Sequence, residues 1–232
     1  MSRNHLSERL ESSELAIAHW NKTPLNTPSE QRYKTYPWLK TAAEFDKHAG
    51  EHILEIGCGA GADLEQFVLG GAIASAVDVT PAHVQMARDR LRGRAEIVQS
   101  DATALPFPNE TFDYVYSHGV LHHIEQPRRV VEEIFRVLRP GGRFNVMVYA
   151  AWSFHRFQMM LRFGRKWNLY IENSRDPVHI DYYSKKTLRS LFSPAQITIT
   201  KLELEPMPFL ESWFGWFLVA KGERPPQRKA GA

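Results

Sequence analysis

The chain has 232 residues, 29 Lys and Arg against 26 Asp and Glu, and 43% hydrophobic content. That composition suits one large globular domain, or one domain with a small cap, and excludes wholesale disorder, collagen and disulfide scaffolds. A lone cysteine, Cys58, cannot close a disulfide within the chain, and a net charge of +3 is too small to imply nucleic acid.

In chain order, residues 1–48 are expected to be a helical, polar cap broken by Pro24 and Pro28. Arg3, Glu8, Arg9, Glu11 and Glu14 leave no apolar run for a leader, and a reducing, cytoplasmic setting is expected. Residues 49–221 are the expected core, where strand and helix alternate. Strands are predicted at His52–Ile56, Ala72–Val79, Ala95–Gln99, Phe112–Ser117 and Arg143–Tyr149. Helices are predicted at Ala62–Leu69, at Pro81–Leu91 with Thr80 as N-cap, and at Pro127–Leu138, stopped by Pro140-Gly141-Gly142. Such alternation implies a parallel sheet covered on both faces. Residues 151–183 interrupt it as an amphipathic insertion in which Trp152, Phe154, Phe157 and Leu161 mix with Arg156 and Arg162. A helix near Thr187–Phe192 and strands at Ile197–Leu204 and Trp213–Lys221 follow. No crossover helix fits between those two strands, so they are expected to pair antiparallel. The parity change from Ile197 and Ile199 to Leu202 and Leu204 predicts a bulge near Thr200–Lys201. Residues 222–232 are expected to be a loose tail.

The informative segment is Ile53-Leu-Glu-Ile-Gly-Cys-Gly-Ala-Gly61. A strand enters a glycine turn and a helix leaves it. Asp78 ends the next strand, where a carboxylate suits ribose hydroxyls. Gly57-x-Gly59-x-x-Ala62 also satisfies a dinucleotide pattern, so NAD is a rival. Glu55 argues against NAD, because an acid beside the turn repels a pyrophosphate and suits an ammonium. Asp101, ending the third strand, offers a second acceptor, fit for an adenine amino group.

Leu54-Glu-Ile-Gly-Cys-Gly-Ala-Gly61, Ala76-Val-Asp78, Ser100-Asp-Ala-Thr-Ala-Leu-Pro-Phe107, Phe112-Asp-Tyr-Val-Tyr-Ser117 and Arg136-Val-Leu-Arg-Pro-Gly-Gly142 resemble the class I S-adenosylmethionine-dependent methyltransferases. Within that family they resemble the small-molecule branch akin to the ubiquinone and sterol enzymes. The resemblance covers residues 50–150 well and implies a Rossmann-like doubly wound α/β fold. Its seven strands would run in order 3-2-1-4-5-7-6, with strand 7 antiparallel. It implies S-adenosylmethionine as cofactor. It places the loop Gly57, Cys58, Gly59 and Gly61 against the methionine part, with Glu55 near its ammonium. Asp78 is then on the ribose, Val79 and Ala102 beside the adenine, Asp101 on its amino group, and Ser117 and His118 near the methionine carbons. Tyr33, on the N-terminal cap, is expected to close over the cofactor.

An activated methyl needs alignment first and a base only when the acceptor keeps a proton. His122 and His123, after strand four, are the candidate bases; His118 and His122 stand four apart, yet no third ligand joins them and no metal is expected. The acceptor site is expected where rings gather outside the shared motifs. Tyr36 and Trp38 lie before the core; Tyr149, Trp152, His155, His179 and Tyr182 lie after strand five. The Trp152–Trp167 helix could be a lid, a dimer surface or a membrane-surface helix. The expected function is methyl transfer to an O, N or C atom of a small molecule, in specialised metabolism. The expected assembly is a monomer or homodimer, without nucleic acid or stable membrane association. The alternatives are an RNA or protein methyltransferase and a non-catalytic cofactor-binding partner subunit. The lack of Asn-Pro-Pro-Tyr after strand four, where Ser117-His-Gly-Val120 stands, argues against the first.

Overall fold

The structure is a computed structural model that describes residues 17–22, 24, 26–164, 180–203 and 210–226. After a helical segment at 17–22 come α1 (Ser29–Thr35), α2 (Trp38–Ala43) and a 3-10 turn at Phe45–Lys47. The alternating part is β1 (His52–Ile56), α3 (Ala62–Leu69), β2 (Ile73–Asp78), α4 (Pro81–Leu91), β3 (Glu96–Gln99) and β4 (Phe112–His118). A 3-10 turn at Leu121–His123 leads to α5 (Pro127–Val137) and β5 (Leu138–Tyr149). Then follow α6 (Phe154–Phe163), α7 (Lys185–Leu191), β6 (Ile197–Leu202), α8 (Glu211–Phe214) and β7 (Phe217–Glu223).

The seven strands form one sheet in the order β3-β2-β1-β4-β5-β7-β6. Neighbours from β3 to β5 are parallel, and β7 runs antiparallel to both β5 and β6. This is the doubly wound sheet that the alternation implied. Its strands are apolar on both faces because both are covered. Leu54 and Ile56 of β1 join Val130, Val131, Ile134 and Val137 of α5 in one core. Ile53 joins Leu64, Phe67, Leu39 and Tyr116 in a second core, under the N-terminal helices. Each such buried side chain contributes about 1.5–3 kcal/mol over an exposed one.

Four local expectations are corrected. The Pro140-Gly141-Gly142 turn does not stop a helix: α5 already ends at Val137 and the chain is extended from Leu138. The turn instead loops out within β5. The register jumps from Phe112↔Leu138 to Tyr114↔Arg143, with Gly141 supplying φ 76°. There is no bulge in β6, whose pairing with β7 is unbroken from Ile197↔Gly222 to Leu202↔Phe217. Lys201 explains the misleading parity. It takes the inward position after Ile197 and Ile199, buried, with Nζ donating to the carbonyls of Trp152 and Trp213. Trp213 is not in a strand: Glu211–Phe214 is a helical turn and β7 starts at Phe217. The tail is ordered at its start. Gly222 and Glu223 belong to β7, and Arg224 donates to the carbonyl of Leu138 and to Glu110. Leu204 lies outside the described residues.

Candidate active site

The carboxyl ends of the parallel strands meet at one edge, where open α/β sheets hold ligands. At the end of β1 the chain bends over β2, with the amides of Gly57 and Cys58 both donating to the Val77 carbonyl (2.8 and 3.2 Å). The three glycines have φ of 73°, 51° and 75°. A Cβ on Gly57 would stand 2.2 Å from Cγ2 of Val120, so that glycine lets the loops after β1 and β4 touch. A Cβ on Gly61 would press on Leu91 and Ala87 of α4. Around Gly59, by contrast, the space is open.

Asp78 is buried beside that opening. Its Oδ2 accepts from the Gly59 amide and its Oδ1 from the Thr80 amide, each at 2.9 Å. Burial pushes this carboxyl up, but the His83 ring and the two amides outweigh it and hold it below the ordinary range. Oδ1 also faces the His83 ring at 3.4 Å, whereas Oδ2 keeps lone-pair capacity for a hydroxyl donor. Glu55, also buried, leaves Oε2 without a hydrogen-bond partner. Burial, followed by the nearby Asp63 charge, holds its carboxyl well above the usual range. An unsatisfied carboxyl oxygen in the interior is costly until a partner arrives, and a cation placed beside it would return the group to its carboxylate. An orphaned acceptor, a ribose-ready carboxylate and an open glycine backbone on one edge fit an amino-acid nucleoside such as S-adenosylmethionine. Asp101 is exposed after β3, with Oδ1 taken by the amide and hydroxyl of Thr103 (2.7 and 2.8 Å). Val79 is 36% exposed, whereas Ala102 is buried in the core.

Other predicted cofactor residues sit differently. Cys58 is buried, and burial pushes its thiol up, so it is held protonated. Ser117 is fully buried and its hydroxyl donates to the Ile56 carbonyl (3.2 Å), which ties β4 to β1 rather than offering a donor to a ligand. Tyr33 gives its hydroxyl to Asp63 (2.8 Å). His118 is buried, stacks on Tyr116 with centroids 4.1 Å apart, and pairs Nε2 with Asn145 Oδ1 (2.8 Å). Burial lowers its pKa to about 4, so the ring is neutral.

Asp63, in the first turn of α3, was missed by sequence reasoning. Its carboxylate accepts from Nε and Nη2 of Arg32 (both 2.8 Å), from Tyr33 (2.8 Å) and from Tyr116 (2.9 Å). Burial pushes Asp63 up, yet the Arg32 guanidinium and the Tyr33 hydroxyl hold it below the ordinary carboxylate range. This cluster fastens α1 directly behind the glycine loop. An acid in a first helical turn looks like dipole complementation; nothing local marks its partner 31 residues upstream.

The predicted acceptor residues largely converge. Tyr149, at the end of β5, stacks on His122 at 3.9 Å and lies 4.7 Å from Trp216 and 6.3 Å from Tyr182. Tyr36 and Trp38 reach the same group through Phe217, at 6.0 and 5.2 Å. The His155 and Trp216 rings meet edge to face with centroids 4.8 Å apart. Trp216 and Phe217, at the start of β7, were missed, because the sequence places them only within an expected strand, Trp213–Lys221. Trp152 departs from the set, because the residue is 79% exposed. His179 lies outside the described residues. His123 meets Trp20 of the 17–22 segment at 5.9 Å, and Trp20 also approaches His83 at 6.3 Å, so this segment crosses above Asp78. Among the described residues no group of three His, Cys, Asp or Glu side chains could hold a metal ion.

Comparison with known proteins agrees with this edge. Residues 54–146 match the family model described as a methyltransferase domain. The chain is 36% identical over 104 residues to a demethylmenaquinone methyltransferase of Clavibacter sepedonicus, covering 44% of this chain and 42% of the relative. It is 33% identical over 151 residues to a probable phthiotriol/phenolphthiotriol dimycocerosates methyltransferase of Mycobacterium ulcerans, covering 60% of this chain and 58% of the relative. The matches thus span about half the length of these curated relatives. Among solved structures, a Methanosarcina mazei S-adenosylmethionine-dependent methyltransferase superposes with TM-score 0.61 at 18% identity, covering 80% of this chain and 97% of that one. The [4+2]-cyclase SpnF superposes with TM-score 0.64 at 18% identity, covering 82% and 81%, so the fold is shared beyond methyl transfer. S-adenosylmethionine is the cofactor of the matched domain type. Residues 54–146 therefore match a methyltransferase domain, and the chain resembles the class I S-adenosylmethionine-dependent enzymes, among them the ubiquinone and sterol methyltransferases.

Proposed function

We propose that the protein transfers the methyl group of S-adenosylmethionine to a small, largely apolar acceptor held by the aromatic cluster at the ends of β5 and β7. The observation that carries this reading is the Glu55–Gly59–Asp78 edge, with an orphaned carboxyl oxygen beside open backbone and a ribose-ready acid. When bound, the cofactor supplies a methyl already activated on sulfonium. Glu55 receives its ammonium, the Gly57–Gly61 loop carries the methionine part, and Asp78 takes the ribose hydroxyls. Asp101 accepts from the adenine amino group, with Val79 and Ala102 flanking the ring. Tyr33 and Ser117 position the site without touching the ligand, the first through Asp63 and the second through β1.

On the acceptor side, Tyr149, Trp216, Phe217 and Tyr36 offer ring faces with few charges, which suits an apolar small molecule. Ring faces also favour a sulfonium by cation–π attraction. His122 is buried against Tyr149 and is placed to take a proton from a hydroxyl or an acidic carbon. His123, nearer the Trp20 side, orders the overlying segment. The curated relatives above are named for methyl transfer to demethylmenaquinone and to phthiotriol or phenolphthiotriol dimycocerosates, which supports a small-molecule acceptor; a natural-product intermediate is one member of that class. The test uses S-adenosylmethionine labelled in its methyl group. The chain is incubated in turn with an organic extract of cells, with bulk tRNA and with total protein. Label is expected in organic-soluble product. Label in tRNA or protein, or none anywhere despite cofactor binding, would overturn the acceptor reading.

A further inference from the structure

Nine large apolar side chains stand exposed among the described residues, and six of them come from two short segments. Trp152 (79% exposed), Phe157, Met160 and Leu161 (71%) lie on and just before α6, and Trp213 (72%) and Phe214 lie on α8. The two segments are held together from below. The buried Lys201 ammonium donates to the backbone carbonyls of both Trp152 and Trp213, so the backbones of two distant stretches of chain are held next to each other. Phe157, Met160 and Leu161 recur at helical spacing and form one stripe on α6. This is a built surface rather than scattered exposed residues, and exposed apolar patches of this kind mark interaction sites.

We propose that this surface docks the protein reversibly on an anionic lipid bilayer. Charge favours that occupant. From Trp152 to Phe163 the chain carries no acid and two arginines, Arg156, half-buried with its guanidinium over the Tyr182 ring, and Arg162. Arg162 is exposed, with its guanidinium 5.2 Å above the Phe163 ring. Lys185 adds positive charge close enough to act on Lys201. The nearest acid on α8, Glu211, accepts from the Glu203 amide. Arg162 and Lys185 against Glu211 leave a modest excess of positive charge, which suits anionic headgroups. Indole rings prefer the boundary between hydrocarbon and headgroups. The ten-residue α6 is about 15 Å long, too short to span a bilayer and suited to lying in its plane. No helix of the described residues is long and apolar enough to cross a membrane. The docking surface adjoins the aromatic cluster: Trp152 follows Tyr149 by three residues, and Trp213 precedes Trp216 by three. A docked protein would therefore present its acceptor site to molecules dissolved in the lipid, a consequence that rests on the acceptor reading above. The docking itself does not.

The test is sedimentation of the full chain with vesicles of phosphatidylcholine alone and of phosphatidylcholine with one third phosphatidylglycerol. The wild-type chain is expected to pellet with the anionic vesicles, to be released by salt, and to have its tryptophan emission quenched by brominated lipid. Leu161→Asp and Trp213→Ser are each expected to weaken binding by about tenfold or more, with unchanged circular dichroism and unchanged affinity for S-adenosylhomocysteine. The proposal is overturned if the wild-type chain ignores both vesicles, or if the variants pellet as well as it does. Sedimentation equilibrium showing a dimer that Leu161→Asp dissolves, without vesicle binding, would assign the face to a second copy instead. Because S-adenosylhomocysteine affinity is measured separately, failure of docking and failure of the methyltransferase reading give different results.

Discussion

At the scale of single residues, the interior charges beneath the N-terminal helices set the energetics. Asp63 satisfies four donors, and removing it leaves Arg32 and the Tyr116 hydroxyl without this acceptor and Tyr33 with only the Ala62 carbonyl. Arg32 keeps some access to water, with 28% of its side chain exposed, which moderates the loss. Asp63→Ala is expected to cost about 3 kcal/mol in urea unfolding, and a change below ~1 kcal/mol would contradict the clamp. Its contribution is present above the ordinary carboxylate range and is lost as pH falls through the depressed folded value. His118 acts higher on the scale. Its folded pKa of about 4 lies below the ordinary 6.5, so between these values the unfolded chain takes up a proton that the folded chain refuses. Stability should therefore fall by roughly 2–3 kcal/mol as pH drops across that window, and His118→Gln should flatten the slope. Unfolding curves collected at several pH values check this; an unchanged slope in the variant would refute it. Asp78 and Glu55 were legible in the sequence because each sits at a fixed offset from the glycines. Asp63 was not, because its partner is set by tertiary packing alone.

At the scale of elements, the sequence exposed the sheet and concealed its irregularities. Strand and helix positions from His52 to Val137 followed from periodicity and turn chemistry, and the order of strands followed from the family resemblance. The errors came where one side chain overrode a pattern. An inward lysine held by two carbonyls imitated a bulge in β6, and a positive-φ glycine turn inside β5 imitated a helix stop. The glycine loop is the element whose geometry matters most to the site. At Gly57 two constraints act together: φ of 73° and a Val120 side chain 2.2 Å from any added Cβ. Gly57→Ala is expected to weaken S-adenosylhomocysteine binding strongly and lower the melting temperature. Adding Val120→Ala should relieve the clash and recover part of the loss, leaving roughly 1–2 kcal/mol from the left-handed backbone. If the second change recovers nothing, the loop is not held against Val120 as described.

At the scale of the molecule, two segments outside the shared motifs are drawn to one edge of the sheet. The N-terminal cap is tied to four core elements: Arg32 to α3, Ser29 to Arg90 of α4, the Ala42 carbonyl to Asn145 of β5, and Glu44 to Lys221 of β7. From the other side, Tyr149 and Tyr182 arrive beside Trp216. Clustering of rings outside the core motifs was visible in the sequence and marked the region proposed to hold the acceptor. Which rings meet, and that Trp152 stays exposed, depended on how the last strand returns between β5 and β6. The account rests most heavily on Asp78 as the ribose anchor of an S-adenosylmethionine site. The direct measurement is calorimetric titration of S-adenosylhomocysteine into the wild-type chain and into Asp78→Ala, with NAD as control. The account predicts one binding site per chain, no binding of NAD, and an affinity weakened by about tenfold or more in the variant. Equal affinity in the two proteins, or tight NAD binding without S-adenosylhomocysteine binding, would contradict it.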